Sequence, residues 1–153
     1  MMMTTRIKRS KAKAFTFLYG EKETDYKGVS VNGGKIMDKL MIFMKKNKVE
    51  ILGPCVWAYK HLGKGKVRLR AGFPVAKGTA AKGILHVSEE PAWECMSTQY
   101  AGSMEKIPEA WDEFTAKVKK AGHKPMNINR EVYHKWIGPE SPDNLTELQV
   151  QVK

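Results

Sequence analysis

The sequence predicts an α+β fold built from two copies of one strand–helix–strand–strand unit. Two observations lead to this prediction. The chain is similar to itself at an offset of 74 residues, and each copy places its strand-like and helix-like periodicities in the same order. The chain has 153 residues, of which 42% are hydrophobic. This composition suits a single domain in which the two copies share a core.

The offset aligns turn, helix and strand positions at once. The aligned pairs are Tyr26 with Tyr100, Gly28 with Gly102, Met37 with Trp111, Leu40 with Phe114, Met44 with Val118 and Tyr59 with Tyr133. Five extra residues then enter the second copy, after which Arg68 falls on Glu147. The identities are few, but agreement in pattern over the whole unit makes chance a poor explanation.

The first copy holds one helix between a strand and a β-hairpin. Its predicted elements are a strand at about residues 23–31, a helix entered through Asn32-Gly33-Gly34 and ending near Asn47, and strands at about 54–61 and 66–74 joined at Gly63-Lys64-Gly65. The helix is predicted from an apolar stripe at helical spacing, made of Met37, Leu40, Met41 and Met44. A short extra strand is predicted ahead of the copy, at Phe15, Phe17 and Leu18.

The second copy repeats this order with a longer hairpin loop. Its predicted elements are a strand at about residues 93–101, a helix with Pro108 in its first turn that ends near Gly122, and strands at about 128–136 and 145–152. A connector rich in Lys, Gly and Ala, residues 76–83, separates the copies. It is too short to make two independent domains.

The first thirteen residues are predicted to form a disordered basic tail ahead of one domain over residues 14–153, with repeats at about 23–75 and 84–153. Five of the net +11 charges lie in this tail, at Arg6, Lys8, Arg9, Lys11 and Lys13, and the tail holds no acid. A basic arm attracts polyanions through counterion release, so weak contact with nucleic acid is one prediction. A solvated tail that aids solubility is the alternative.

Several classes of site find no support in the sequence. Cys55 and Cys95 lie far apart without a CxxC neighbour, and the four histidines show no HExxH spacing, so we expect no metal. We expect no cofactor, since the chain has neither a P-loop nor a dinucleotide fingerprint. No apolar run approaches membrane-spanning length, and no hydrophobic stretch follows the basic N-terminus. A cytoplasmic protein without a membrane partner is therefore predicted.

Several short motifs resemble the GyrI-like (bacterial effector-binding) family. The closing hairpin of that family is resembled by three consecutive segments. They are Arg130–Tyr133, a turn rich in Pro, Glu and Asp, and Thr146–Val150. Ala71–Val75 resembles the end of its first half, and Tyr100–Gly102 followed by Pro108–Trp111 resembles the entry to its second helix. The motifs span nearly the whole chain, and their order, spacing and duplication together are quite specific.

The resemblance implies a tandem pair of modules related by a pseudo-twofold axis, with an antiparallel sheet, two main helices and a central ligand groove between the modules. In transcription regulators of the family the domain follows a DNA-binding domain and senses drugs, often lipophilic cations. Stand-alone members bind small molecules or act on partners such as DNA gyrase, and some are similar to proteins that hydrolyse reactive cyclopropane-type compounds. Because no helix-turn-helix fits ahead of residue 14, a stand-alone bacterial member is predicted.

Glu147 is the leading candidate for ligand contact. On its strand Leu148, Val150 and Val152 face one side, so Glu147 faces the other. The resemblance implies that this position holds the acidic residue that meets ligands. A carboxylate among aromatic rings would attract a cation, or would act as a general base if burial raised its pKa. An exposed strand glutamate is the plain alternative.

Aromatic and basic residues complete the predicted site. Tyr59 and Tyr133 occupy equivalent places and would form flat walls with hydroxyl groups, unless they pack as ordinary strand residues. Trp111 is predicted to be a core residue or a pocket wall, and Trp93 to cap the groove. Trp57 and Trp136 are each a wall or a surface residue. Arg68 and Arg70 depart from the family pattern. With both arginines facing the groove, one side of it would be basic and the other acidic. Such a groove would suit a zwitterionic or anionic ligand. The alternative is that the arginines face solvent on an edge strand.

The predicted function is binding of an aromatic or amphipathic small molecule, serving detoxification or sequestration. Enzymatic activity is left open by the residues. A hydrolase that acts on reactive electrophilic small molecules through Glu147 is the first alternative. An inhibitor or modulator of DNA gyrase or of another nucleic-acid enzyme is the second.

Overall fold

Eight strands and two helices make up most of residues 3–153, the part of the chain that the computed structural model describes. In chain order they are β1 (Lys8–Ala12), β2 (Phe15–Asp25), α1 (Val29–Lys46), β3 (Cys55–Gly63), β4 (Lys66–Val75), β5 (Leu85–Glu90), β6 (Trp93–Ala101), α2 (Ile107–Lys120), β7 (Pro125–Lys135) and β8 (Leu145–Val152). A short 3-10 turn precedes each helix. The predicted α+β class and the doubled strand–helix–strand–strand order are confirmed.

The chain divides into two compact units of the same design. We call residues 13–92 the first unit, and residues 3–12 with 93–153 the second unit. Hydrogen-bonded strands follow the order β3-β4-β2-β5 in the first unit and β1-β6-β8-β7 in the second, and every pair is antiparallel. The sequence did not predict β1 and β5. Each adds a fourth strand beside the opening strand of its unit.

Helix α1 begins earlier than the sequence predicted. The strand predicted at 23–31 ends at Asp25, and the helix starts at Val29, so Asn32, Gly33 and Gly34 lie inside it. The Asp25 carboxylate accepts a hydrogen bond of 2.8 Å from the Gly28 N–H and so ends the strand with a capped turn. Packing of the helix overrides the strand preference of its first β-branched residues. The predicted stop at Asn47 is confirmed.

The core of the first unit lies between α1 and its strands. Ile36, Leu40 and Met44 point from the helix into this core, whereas the predicted stripe residue Met41 is 51% exposed. The strands contribute Leu18, Leu69, Ala71, Val75 and Leu85. The helix therefore buries a face rotated toward Ile36 from the one predicted.

The core of the second unit lies between α2 and its strands. Ala110, Phe114 and Val118 of the helix are fully buried. They meet Met96, Tyr100, Leu148, Val150 and Val152. Since Leu148, Val150 and Val152 face α2, the intervening residues of β8 face away from it.

Residues 3–12 are ordered, so the predicted disordered tail is wrong for this segment; residues 1 and 2 lie outside the described part of the chain. Strand β1 pairs with β6, and Thr4 forms an isolated bridge with Tyr100. Glu113 of α2 holds the start of the segment. Its carboxylate accepts hydrogen bonds from the Met3 N–H at 3.0 Å, the Thr4 N–H at 2.7 Å and the Thr4 hydroxyl at 2.6 Å.

Glu113→Gln is expected to destabilise the folded chain by about 1.5–3 kcal/mol near neutral pH, as hydrogen bonds to a charged group do. The Thr4 hydroxyl and the Met3 N–H are the main groups that lower the pKa of Glu113 from 4.5 to about 2. This stabilisation is therefore complete above pH 4.5 and is lost as the pH falls toward 2. Urea unfolding at neutral and acidic pH measures both effects.

The matched control for this experiment is Glu109→Gln, one turn earlier on α2, where the side chain is exposed. It should change stability by no more than about 0.5 kcal/mol. Equal losses in the two variants would contradict the role of Glu113 in holding residues 3–12.

Candidate ligand-binding site

A buried carboxylate lies on the α2 face of the second unit. Glu131 of β7 is only 5% exposed. Its Oε2 accepts a hydrogen bond of 2.6 Å from Trp111 Nε1, and its Oε1 accepts one from the Tyr133 hydroxyl. We call Trp111, Glu131 and Tyr133 the aromatic–carboxylate cluster.

Helix α2 and strand β7 position this cluster. Phe114, fully buried, anchors the helix, and the Trp111 ring lies beside it with ring centroids 5.7 Å apart. On the sheet Glu131 is paired in register with Leu148, a core residue. A carboxylate in such apolar surroundings is costly unless hydrogen bonds compensate it. The Trp111 and Tyr133 donors supply part of that compensation.

The surroundings of the cluster combine aromatic rings with one unsatisfied hydroxyl. Trp136 packs edge-on against Tyr133, with centroids 5.7 Å apart, and is 51% exposed. Thr146 lies directly opposite Tyr133 in register and is fully buried. Its Oγ1 has no hydrogen-bond partner among the described residues. The arrangement offers negative charge, flat apolar walls and a free polar group to a small molecule.

Glu147 lies on the opposite face of the same sheet. Because Leu148 points toward α2, Glu147 points away from it. Its Oε1 is 2.8 Å from His134 Nε2, and its Oε2 accepts a hydrogen bond of 2.7 Å from Gln149 Nε2. Glu147 and the aromatic–carboxylate cluster therefore belong to different surfaces of the second unit.

Trp93 packs against Arg130 and not against the other aromatic residues predicted for the site. The Arg130 guanidinium carbon is 4.1 Å from the centre of the Trp93 ring, a cation–π geometry. Arg130 itself is almost fully buried. The structure thus separates Trp93 from Trp111 and Tyr133, which the sequence placed with it in one site.

In the first unit, Trp57 and Tyr59 pack against α1. Both contact the cluster of Ile36, Leu69 and Ala71. Trp57 lies so close to the helix that a Cβ on Gly33 would be 2.2 Å from its Cη2. These two aromatic residues therefore have packing roles in the first unit, alongside any ligand contact.

Arg68 and Arg70 are each paired with an acid on the neighbouring strand. Arg68 donates to Glu23 and Arg70 donates to Glu21, both at 2.7 Å. The hydrogen bond to Glu23 raises the pKa of Arg68. Strand β4 lies between β3 and β2, so it is not the edge strand that the alternative interpretation assumed. The pairing reduces the positive charge that either arginine presents to an anionic ligand.

Within residues 3–153 no group of three or more His, Cys, Asp or Glu side chains is arranged to hold a metal ion. Cys55 and Cys95 are free thiols, and burial raises the pKa of both, that of Cys55 to about 12. No helix in this part of the chain is long and apolar enough to cross a membrane.

Several solved structures share this architecture at low sequence identity. The crystal structure of the EcmrR C-terminal domain is similar, with a TM-score of 0.78 and 17% identity over 99% of both chains. In the cryo-EM structure of the EcmrR–DNA complex in EcmrR-RPo the TM-score is 0.81 at 15% identity, and this chain, matched over 100% of its length, spans 59% of EcmrR. SAV2435 bound to tetraphenylphosphonium has a TM-score of 0.76 at 11% identity, over 97% of this chain and 94% of that one.

The chain has the GyrI-like fold. A hydrolase encoded by lin2189 from Listeria innocua is also similar, with a TM-score of 0.59 at 12% identity over 97% of this chain and 92% of that one. No protein-family model and no curated protein matches the chain. At these identities the GyrI-like likeness concerns the fold, and the side chains of this chain must carry any conclusion about function.

Sequence reasoning did not select Glu131 as a candidate site residue. Glu131 lies within the Arg130–Tyr133 motif. Two signals were present. Glu131 is two residues from Tyr133, so both side chains share one face of a strand. The 74-residue offset also places Glu131 on Trp57, so the second copy carries an acid where the first carries an indole.

Proposed function

We propose that this protein binds a small, aromatic cationic molecule at the aromatic–carboxylate cluster of its second unit. The observation that carries the proposal is the Glu131 carboxylate, 5% exposed and held by the Trp111 indole and the Tyr133 hydroxyl. A core glutamate with no role beyond packing would be replaced at little cost by an apolar residue. Its presence among aromatic rings supports a recognition role.

The charge and shape of the cluster support a cation over an anion. Around Glu131 the low dielectric strengthens attraction to a positive charge. Trp111, Tyr133 and Trp136 offer ring faces and edges, and indole rings are the best partners for cations. Arg68 and Arg70, which would have favoured an anionic ligand, are bonded to Glu23 and Glu21.

The solved relatives give independent support. SAV2435 has been seen with tetraphenylphosphonium, a lipophilic aromatic cation, in a fold that matches this one at a TM-score of 0.76. The C-terminal domain of EcmrR, part of a protein seen in complex with DNA, also has this fold. We extend ligand binding to this chain because the aromatic–carboxylate cluster has the chemistry that such a cation requires.

Tetraphenylphosphonium tests the proposal, with triphenylphosphine oxide as a neutral aromatic control. At a ligand concentration near one hundred times the dissociation constant, the native state gains about 2.7 kcal/mol. For a protein of this size that raises the melting temperature by about 5–10 °C. The neutral control should give little shift. The absence of a shift with this cation and with a broader set of aromatic cations would count against the proposal, as would equal shifts with the neutral compound.

A further inference from the structure

The β3–β4 hairpin of the first unit ends in a basic surface that includes an exposed tyrosine. Gly63 and Lys66 pair across the turn, and Lys66 also lies opposite Asp25, the residue before Tyr26. The pairing brings four exposed lysines and two rings to one end of the unit. We call this set the hairpin-end patch, and its members are Tyr26, Lys27, Lys60, His61, Lys64 and Lys66.

Tyr26 is held with one face of its ring covered and the other open to solvent. The ring stacks on His61, with centroids 5.7 Å apart and an angle of 27° between the planes. The Tyr26 hydroxyl is 2.6 Å from His61 Nδ1, a hydrogen bond that fixes the ring. The residue is still 54% exposed. A fixed ring with an open face can stack on a flat group at little cost in conformational freedom.

The second copy of the repeat shows that the scaffold does not require an exposed tyrosine here. Tyr100, which the 74-residue offset aligns with Tyr26, is 3% exposed and belongs to the core of the second unit. The hairpin loops also differ in charge. Residues 136–144 of the second copy include Glu140 and Asp143 and no Lys or Arg. The exposed ring and its lysines are therefore features of the first unit that the shared fold does not explain.

Lys64 occupies the apex of the turn in a conformation that lysine seldom adopts. Its φ is +54° and that of Gly65 is +74°, the two positive angles of a type I′ turn. Asparagine and glycine are preferred at such positions, because a left-handed backbone brings the Cβ of other residues too close to the following carbonyl oxygen. A lysine kept in this conformation favours a role for its ammonium group at the apex.

We propose that the hairpin-end patch binds single-stranded nucleic acid, with a base stacked on Tyr26 and the phosphates bound by the lysines. The first unit carries 15 Lys and Arg against 7 Asp and Glu, so it holds +8 of the net charge of +11. The acids beside the patch have partners of their own. Asp25 accepts from the Gly28 N–H, and Glu23 accepts from Arg68 at 2.7 Å. The four lysines are left for a polyanion.

The open ring favours a single strand over other polyanions. Base–aromatic stacking needs an unstacked base, and the bases of a duplex are stacked on one another. A basic surface without the ring would bind a duplex or an acidic protein segment through charge alone. This activity is separate from binding at the aromatic–carboxylate cluster, which belongs to the second unit and takes a cation.

Fluorescence anisotropy with a short labelled oligothymidylate tests the stacking contact. We expect saturable binding at low salt. Tyr26→Leu should weaken it about 5- to 150-fold, the loss that follows from removing one stacked base. Tyr26→Phe is the matched control, since it keeps the ring and loses the hydroxyl, and its affinity should stay within about threefold of the original. Tyr26 is exposed, so neither change should unfold the protein.

Lys64→Asn tests the lysines without harm to the fold, because asparagine suits the left-handed turn. The slope of log affinity against log salt should be about −2 to −3 for the original chain and flatter by about 0.7 in this variant. Lys48→Asn is the matched control. Lys48 is also an exposed lysine with a positive φ, +49°, but it follows the far end of α1. The 18 residues of α1 span about 27 Å, so this change should leave the slope as it is.

Four results would overturn the proposal. They are no binding of the strand at low salt, unchanged affinity in Tyr26→Leu, equal loss in Lys48→Asn and Lys64→Asn, and a duplex of the same length that binds as tightly as the strand. The last two would mean that diffuse charge alone directs the contact. Glu131→Gln should bind the strand like the original chain, so failure at this patch and failure of the phosphonium site are distinguishable.

Discussion

Replacing Glu131 by glutamine is expected to weaken binding of the phosphonium cation by about two orders of magnitude, because removing one partner of a buried charge pair costs about 2–5 kcal/mol. The substitution keeps the shape of the side chain and an oxygen that can accept from Trp111 Nε1. It removes the charge and replaces one acceptor oxygen with an amide NH2 group, which the Tyr133 hydroxyl oxygen can accept. Calorimetric titration of both proteins at the same salt concentration measures the difference.

Glu147→Gln is the matched control for this experiment. It removes the same charge from the same sheet, but on the face that points away from α2. Its affinity for the phosphonium cation should stay within about threefold of the original, which is less than 0.7 kcal/mol. Equal losses in both variants would indicate a general electrostatic effect. A loss confined to Glu147→Gln would restore the assignment made from the sequence.

Alanine substitutions at two neighbouring glycines of α1 are expected to change stability in opposite directions. A Cβ on Gly33 would be 2.2 Å from Trp57 Cη2, whereas a Cβ on Gly34 would meet nothing within 4 Å. Gly33→Ala should therefore cost about 1–3 kcal/mol through overpacking. Gly34→Ala should add about 0.5–1 kcal/mol, because alanine is the better helix former. Urea unfolding of the two variants measures both effects.

A double-mutant cycle ties the Gly33 effect to Trp57. In a Trp57→Leu background the indole is absent, so Gly33→Ala should cost much less than it does in the original chain. A coupling energy of about 1 kcal/mol or more would link the two residues. A cost that is the same in both backgrounds would show that the added methyl group meets something other than the indole.

Local patterns predicted the elements that depend on neighbours in sequence. The helix stop at Asn47, the proline in the first turn of α2 and the glycine turn at Gly63–Gly65 all appear where expected. The proline and the glycines act through backbone preferences of their residue types, which the sequence shows directly. Asn47 ends α1 through its side chain, whose Nδ2 donates to the Phe43 carbonyl at 2.9 Å. The strand predicted at 93–101 coincides with β6, Trp93–Ala101.

The errors arose where distant residues decide the structure. Residues 3–12 look like a free basic arm, yet Glu113, far along the chain, accepts hydrogen bonds from Met3 and Thr4. Gly33 and Gly34 look like a turn, yet they lie within α1, where the Trp57 ring packs close to Gly33. The composition and residue spacing of a sequence do not show which distant residues will be in contact.

The sequence by itself determined the doubled architecture, because an offset of 74 residues aligns turns, helix stripes and strand tyrosines together. It also supplied Trp111 and Tyr133 as candidate ligand residues. Only the tertiary structure decided which carboxylate joins them. A strand shows that alternate residues share a face, but which face meets a helix depends on packing. Packing of Leu148 against α2 turns Glu147 away, and the indole of Trp111 on α2 reaches Glu131.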